Sequence, residues 1–387
     1  MKSTSEKRVS ISSIAGLSLI ELMIALAIGS FLVLGVTTVF LANRDSATLE
    51  NSLARLQENG RFALDLLRDD MHEAQFLGCN TGDVFVVNMT EDPNAAGAGV
   101  SSIEGVRGYE RNGTGVWGAA PDSTVLSAAI LAADTAGGAR NGSDVLRIRT
   151  TELMNEDDPN DPLLTALVLP SSTEVSIDDN PDCEIEQNSQ VIITGCELSA
   201  HVFEVANTQS CTAATPPNPT TLSFDDTALN PTNRINTTYS LDAQVLLFED
   251  AVWFVADTGR ERNGFDVWAL YREIGGIPQE MIEGVEHMQV KFGQRLPGTT
   301  SIRYVDPSDA DLNAGLNAEG IISVRVALLM QSFEAVKNTA DARIYLLTDE
   351  QVGDSTAPGA QGGFHAGGVV QRDVFSTTVM LRNAPEV

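Results

Sequence analysis

The distribution of apolar residues divides the chain into one long helical segment and a longer β-rich remainder. Residues 22–43 include no charged residue, and twenty-two residues at ~1.5 Å each could cross a bilayer core of ~30 Å. After Asn43, apolar residues recur at intervals of three, four and seven, which indicates that the helix continues in amphipathic form. We therefore predict a helix over 17–76, about 90 Å long, in which Gly60 is the weak point at a cost of ~1 kcal/mol.

From residue 80 onward the pattern is typical of strands. Gly- and Asn-rich loops separate short runs of Val, Ile, Leu and Phe, and in 321–331 apolar residues alternate with polar ones such as Ser323 and Arg325. We predict strands over 84–88, 144–150, 190–194, 201–206, 243–248, 251–257, 266–272, 285–293, 321–331 and 374–382. A long helix packed on a large antiparallel β-rich domain is an α+β fold.

The charge distribution predicts a membrane topology. The chain has a net charge of −29, which disfavours direct binding to nucleic acid. Its first 16 residues, however, are net basic and precede the apolar run, whereas the acidic bulk follows it. We therefore expect a single-pass inner-membrane protein with a cytoplasmic N-terminus and a periplasmic head.

Four cysteines occur in the part predicted to lie outside the membrane: Cys79, Cys183, Cys196 and Cys211. The sequence has no CxxC, and an even number of cysteines in an oxidising compartment favours two disulfides over a metal site. The spacing alone leaves three pairings open.

The apolar N-terminal segment has three possible interpretations, and Glu21 helps to distinguish between them. A secretory signal would be shorter and would end in a small-x-small cleavage site. A plain anchor fits the length, but a carboxylate inside an apolar run is expensive unless it has a function. Within the anchor interpretation, the alternative is a protonated or snorkelling acid at the membrane surface. The third interpretation is a prepilin.

The segment 15–21, Ala-Gly-Leu-Ser-Leu-Ile-Glu, resembles the class III signal of type IV prepilins. This resemblance implies cleavage after Gly16 by an aspartyl prepilin peptidase and methylation of the new N-terminal amine, on Leu17. It also implies that Glu21 pairs with the N-terminal amine of a neighbouring subunit. Leu17 stands where the family usually has Phe, and Thr38 stands where major pilins commonly have Pro.

The same resemblance divides the chain into four parts. These are a leader peptide (1–16), a transmembrane or filament-core helix (17–44), the amphipathic half of that helix (45–78) and the β-rich head (79–387). In a bilayer an unpaired Glu21 would carry a large desolvation cost, so pairing would favour entry of the helix into a filament in one register.

Further segments resemble the PilW group of minor pilins and are spread over nearly the whole chain. They are 56–65, 78–79, 141–146, 193–196, 202–203, 270–273, 282–293 and 374–383. Residues 91–140 and 155–185 match nothing specific, and we expect variable loops there. In the family's pattern a cysteine follows the long helix and another follows a central strand, which implies a Cys79–Cys196 disulfide. That pairing leaves Cys183–Cys211.

The resemblance to PilW also implies a set of partners. They are other minor pilins, a PilY-type tip adhesin, the major pilin, the inner-membrane assembly platform and the prepilin peptidase. Such a subunit helps to prime pilus assembly and ends near the tip, where it supports adhesion and twitching motility. The alternatives are a J-like minor pseudopilin of a type II secretion system and a membrane-anchored calcium-dependent binding module.

The sequence offers no support for catalysis. It has no HExxH, no GxSxG and no phosphate-binding glycine loop, and its four histidines are scattered. Asp309, Asp311 and Asn313 have the 1-3-5 spacing of a calcium loop, but Ala314 and Gly320 fail its sixth and twelfth positions. We therefore expect no cofactor and a solvated acidic loop, with a looser calcium site as the alternative.

Overall fold

A computed structural model gives the fold in two compact units, Met1–Asn51 and Ser52–Val387. The residues it describes are 18–74, 76, 78, 85–89, 105–118, 126–132, 137–152, 164–178, 180, 184–195, 199–208, 220–231, 234–296, 299–309, 320–336, 339–354, 364–365 and 367–383. Among these, one long helix precedes a head of many strands, so the predicted α+β fold is confirmed.

The helix, α1, runs from Leu19 to Glu73, close to the predicted 17–76. In the first unit its apolar side chains are exposed, and its hydroxyl groups bond to its own backbone. Thr37 Oγ1 donates to Val33 O and Thr38 Oγ1 donates to Gly35 O, both at 2.8 Å. Because these bonds satisfy the hydroxyls inside the helix, the polar residues of this stretch are compatible with lipid.

In the second unit, α1 buries one stripe of residues at spacings of three and four. The stripe consists of Ser52, Leu56, Gly60, Ala63, Leu67 and Met71. Four of these are the apolar residues whose periodicity predicted an amphipathic helix. Gly60 is part of the buried stripe because an added Cβ would lie 2.8 Å from the ring of Phe375. The residue that sequence propensity marks as a weak point is therefore one at which the helix packs closely on the head.

The larger sheet has eight strands. In chain order they are β1 (Phe85–Asn88), β2 (Val106–Tyr109), β3 (Val145–Glu152), β5 (Gln190–Thr194), β6 (Ser199–Glu204), β8 (Gln244–Arg262), β9 (Phe265–Ile274) and β10 (Ile277–Glu283). Their spatial order is β1-β6-β5-β8-β3-β2, with β9 on β8 and β10 on β9. β1 and β6 run parallel, and the other pairs are antiparallel.

β8 replaces two predicted strands, 243–248 and 251–257. The gap between the two predicted strands falls at Glu249 and Asp250. In the structure, Glu249 accepts a bond from Arg272 Nη2 at 2.9 Å, and Asp250 pairs with Arg147 and Arg149 on the neighbouring strand. The charges are neutralised across the sheet, so the strand continues.

The second sheet has the antiparallel order β12-β11-β13-β17. Its strands are β11 (Val285–Arg295), β12 (Ile302–Val305), β13 (Ile321–Gln331) and β17 (Arg372–Met380). Two smaller sheets also occur. One contains β14 (Tyr345–Leu347), β15 (Glu350–Asp354) and β16 (Phe364–His365), and the other contains β4 (Glu174–Ile177) and β7 (Thr220–Ser223). A single-turn helix, α2, spans Ala128–Leu131.

The main core lies between the stripe of α1 and both larger sheets. Its members include Leu67 and Met71 from the helix, Trp253 from β8 and Val326 from β13. A second core packs β4 and β7 against β5 and β6. The two stretches expected to be variable loops, 91–140 and 155–185, thus contain β2, α2 and β4, with buried residues.

Candidate assembly site

Glu21 lies in the first turn of α1. The helix starts with a hydrogen bond of 3.1 Å from Leu22 N to Ser18 O. The backbone N–H groups of a first turn lack intrahelical partners, so a negative charge is favoured there. The processing residues, Gly16 and Leu17, lie outside the described residues.

The surface around Glu21 is apolar on all sides. Leu19 is 77% exposed, and the residues that follow to Leu41 are exposed too. By length and composition α1 could cross a membrane, and the most apolar part of it is not buried within the chain. A surface of this kind needs lipid or other helices around it, and a carboxylate inside it is costly unless a cation pairs with it. The chemistry available to this site is therefore the recruitment of a cation into an apolar environment.

Asp70 attaches the amphipathic half of α1 to the head. Its Oδ2 accepts hydrogen bonds from Trp253 Nε1 at 2.8 Å and from Arg272 Nε at 2.9 Å. Arg272 also donates to Glu249, so one guanidinium bridges the helix to the larger sheet. These groups fix the rotation of the helix about its axis as well as its position. The sequence marked 270–273 as a family segment, but nothing local indicated its contact with Asp70.

The C-terminal end of α1 is closed by side chains from distant strands. Thr150 Oγ1 donates to Glu73 O at 2.8 Å, and Asn383 Nδ2 donates to Ala74 O at 3.1 Å. Both bonds satisfy carbonyls that a helix end leaves without intrahelical partners. Asn383 belongs to the terminal segment that resembles PilW, so part of that segment serves to hold the helix.

The segment 141–146 joins the two larger sheets. Gly142 has a φ of +74°, a conformation that favours glycine, and Ser143 Oγ contacts both backbone groups of Met288. Asp144 Oδ2 accepts a hydrogen bond of 2.8 Å from Val290 N. Burial raises the pKa of Asp144 well above its usual range. This segment therefore connects β3 to β11.

Glu286, Arg372 and Arg140 form a buried ionic cluster in the head. Arg372 Nε donates to Glu286 Oε2 at 2.6 Å, and Arg140 Nη2 lies 3.6 Å from Glu286 Oε1. Burial would raise the pKa of Glu286, but the two arginines outweigh it and lower the pKa to about 2. Arg372 also donates to Gly367 O at 2.6 Å. The cluster thus ties β11 and β17 to the segment after β16.

The calcium candidates are only partly described. The backbone N–H of Asp309 donates to Asp306 O at 3.0 Å, whereas Asp311 and Asn313 lie outside the described residues. Within the ranges given above, no group of three or more His, Cys, Asp or Glu residues could hold a metal ion. The candidate therefore stays a prediction. The cysteines, Cys79, Cys183, Cys196 and Cys211, also lie outside the described residues.

Three histidines of the head are held by separate partners. His201 Nδ1 lies 2.7 Å from the Tyr239 hydroxyl, and the Nε2 atoms of His287 and His365 contact backbone carbonyls. Burial lowers the pKa of His201 to about 4 and that of His287 to about 3. His201 and His287 are therefore neutral core residues.

The C-terminal part of the head includes Arg272 and Asn383, which contact the helix. It also includes Glu286 and Arg372, which belong to the ionic cluster. Residues 270–383 match the family model of PilW, the type IV pilus-assembly protein W. The predicted resemblance to PilW is confirmed over this stretch. A comparison with curated proteins returns no match.

A comparison with solved structures returns a type IV-like pilin from Thermus thermophilus. The two chains are 13% identical, and the alignment covers 51% of this chain and 86% of the other, with a TM-score of 0.18. A TM-score this low carries no argument about how the elements are arranged. The α+β assignment therefore rests on α1 and the strands themselves.

Proposed function

We propose that this chain is a PilW-like minor pilin, a structural subunit that helps to prime a type IV pilus. The observation that carries the proposal is the combination of two features in one chain. The head matches the PilW family over 270–383, and the apolar helix that precedes it carries Glu21 in its first turn.

The proposed assembly step starts with hydrolysis of the Gly16–Leu17 peptide bond by a prepilin peptidase, which frees the amine of Leu17 for methylation. In the membrane the Glu21 carboxylate is costly while it lacks a cationic partner. The N-terminal amine of a neighbouring subunit supplies that partner. The apolar surface of α1 then exchanges lipid for the helices of other subunits, and the paired charges fix the register.

The proposed location follows from the same features. Before assembly, the basic leader keeps the N-terminus in the cytoplasm and the head faces the periplasm. After assembly, the subunit lies near the pilus tip with other minor pilins, a PilY-type adhesin and the major pilin, above the inner-membrane platform. Adhesion and twitching motility depend on it through the filament. The role is structural, not catalytic.

The test replaces the docking carboxylate. Glu21→Ala should leave cleavage after Gly16 intact, which mass spectrometry of the mature N-terminus would show, but should reduce incorporation into sheared filaments to background. Glu50→Ala is the matched control, because Glu50 is an exposed glutamate of the same helix outside the charge-free stretch, and it should incorporate normally.

Two results would contradict the proposal. Normal incorporation of the Glu21→Ala subunit would remove the docking role, and an N-terminus retained at Met1 would indicate a plain membrane anchor. The subunits that co-purify with the chain distinguish the two filament classes, since pseudopilins of a secretion system would replace pilus subunits among them.

A further inference from the structure

β17 lies at an edge of the second sheet, and in the described part of the chain it pairs with β13 alone. Leu381 N donates to Ile322 O at 2.9 Å, and Ser332 N donates to Gln371 O at 2.8 Å. In an antiparallel pair, backbone groups point alternately toward and away from the partner. The odd-numbered residues of β17 therefore bond to β13, and the even-numbered ones direct their N–H and C=O groups to the free side.

The free side of β17 lacks the features that usually protect an edge strand. β10 carries Pro278 and Glu280, and β12 is only four residues long. By contrast, residues 374–380, Val-Phe-Ser-Thr-Thr-Val-Met, contain neither a charge nor a proline. Asp373 Oδ1 accepts a bond from Val374 N at 2.9 Å, so this outward donor already has a partner.

Three residues of the uncharged stretch keep both of their outward backbone groups: Ser376, Thr378 and Met380. No backbone bond from them to the free side occurs among the described residues. Three donors and three acceptors in an extended row form a template for the addition of another strand. The side chain of Met380, which is 53% exposed, lies beside this row.

The helix beside this edge carries two arginines on the flank that faces away from the larger sheet. Asn59 and Asp70 bond to Glu283 O and to Trp253, which places their flank of α1 toward β8 and β10. Arg61 lies two residues from Asn59 and Arg68 two residues from Asp70, a rotation of about 200° in each case. The exposed Arg61 and Arg68 therefore lie on the opposite flank, away from the larger sheet.

Two further arginines lie on the other side of the edge. Arg325 Nε donates to Thr378 Oγ1 at 3.2 Å, and its guanidinium lies 3.9 Å from the centre of the Tyr304 ring. Arg382 is exposed directly after the strand. Four arginines therefore lie on the two sides of β17, against Glu58 and Asp65 on the helix and Asp373 on the strand, and Arg68 pairs with Asp65 at 3.2 Å. This excess of positive charge occurs in a chain whose net charge is −29. An incoming strand with acidic side chains would complement this edge.

We propose that the free edge of β17 docks an extended acidic segment of another filament subunit by strand addition. The identity of the partner as a filament subunit rests on the proposed function, whereas the edge itself does not. Backbone bonds to Ser376, Thr378 and Met380 supply the attachment, and the arginines select acidic side chains. This contact lies in the head and is independent of the helix contact made by Glu21.

A proline at position 378 tests the edge. Thr378→Pro removes an outward N–H and places a ring on the free side, but keeps the bonds to β13, because the groups of residue 378 point away from that strand. Thr378→Val is the matched control and retains the N–H. We expect both full-length variants to be cleaved after Gly16 and to unfold within a few degrees of wild type. Co-purification of other filament subunits should fall to background for Thr378→Pro alone.

A photo-crosslinking amino acid in place of Met380 tests the same edge without relying on the folding of the proline variant. We expect the crosslinked peptide to be an acidic segment of another filament subunit, and its yield to fall as salt is raised. A crosslink to this chain itself or to a second copy of it would overturn the proposal, as would undiminished co-purification of Thr378→Pro. Failure of the Glu21→Ala test would contradict the proposed function and leave these results unaffected.

Discussion

Glu286 lies on β11 without exposed surface, and arginines face both of its carboxylate oxygens. Arg372 is also fully buried, and it bonds to Gly367 O as well as to the carboxylate. Charges buried to this degree are tolerated only when each has a partner, since desolvation costs several kcal/mol per ion. The three charges of Glu286, Arg372 and Arg140 therefore depend on one another.

Glu286→Gln should lower the free energy of unfolding by ~3–5 kcal/mol, because it removes the charge of the carboxylate that pairs with two buried arginines. Denaturant unfolding of the full chain monitored by tryptophan fluorescence would measure this. Arg260→Gln is the control: Arg260 pairs with Glu280 at a site where its side chain is 52% exposed, and the loss should stay below ~1 kcal/mol. Equal losses for the two variants would contradict a special role for the buried cluster.

The same variant has a pH signature. The folded pKa of Glu286, about 2, lies below the ~4.3 of an unfolded glutamate. Its stabilisation is therefore complete above pH ~4.3 and is lost as the pH falls toward 2. Stability curves of wild type and Glu286→Gln should converge over this interval, and parallel curves would argue against the ion pair.

At the scale of single residues, the sequence identified those residues whose role can be inferred from their neighbours along the chain. Glu21 stands out because the residues around it are apolar, and its neighbours along the chain suffice to show this. Glu286 could not be interpreted in this way, because its partner Arg372 lies 86 residues away. Which charged residues pair in a core depends on strand order and register, and neither can be inferred from the local sequence pattern.

Among the elements, α1 was predicted closely because a 55-residue helix repeats its signal many times. β2 and β4, each of four residues, carry too little alternation to be recognised, although the equally short β1 was predicted. β8 was divided because the sequence shows the charges at Glu249 and Asp250 but not the arginines opposite them. The prediction therefore failed where short elements or cross-strand pairing decided the outcome.

Gly60 tests how α1 packs on the second sheet. By helix propensity alone, Gly60→Ala should stabilise the chain by up to ~1 kcal/mol. The new Cβ, however, would lie 2.8 Å from three atoms of the Phe375 ring, so overpacking should dominate and destabilise the chain by ~1–3 kcal/mol. Thermal unfolding would give the sign directly.

A double variant separates the two effects. Phe375→Leu removes the ring, and in that background Gly60→Ala should lose most of its cost or become stabilising. An unchanged cost in the double variant would show that the close approach to Phe375 is not what requires glycine at this position.

At the scale of the whole molecule, Gly78, five residues beyond the end of α1, lies beside the central strand β5. A Cβ added to Gly78 would lie 3.0 Å from Thr194 Cγ2, and Gly78 has a φ of +72°. Cys79 and Cys196, outside the described residues, are one and two positions away from these neighbours. This proximity supports the Cys79–Cys196 pairing that the resemblance to PilW implies, and such a bond would join the helix to the middle of the larger sheet.

Peptide mapping of the unreduced chain should therefore recover a disulfide-linked pair containing Cys79 and Cys196, and a second containing Cys183 and Cys211. Because the first bond would close a loop of more than 100 residues, its loss should cost ~4–5 kcal/mol in the chain-entropy model. Cys79→Ser, Cys196→Ser and the double variant should lose the same amount, since each breaks one bond. Additive losses, or a mapped pair that joins Cys79 to another cysteine, would contradict the pairing. The end of the helix would then be held by Thr150 and Asn383 without a covalent link to β5.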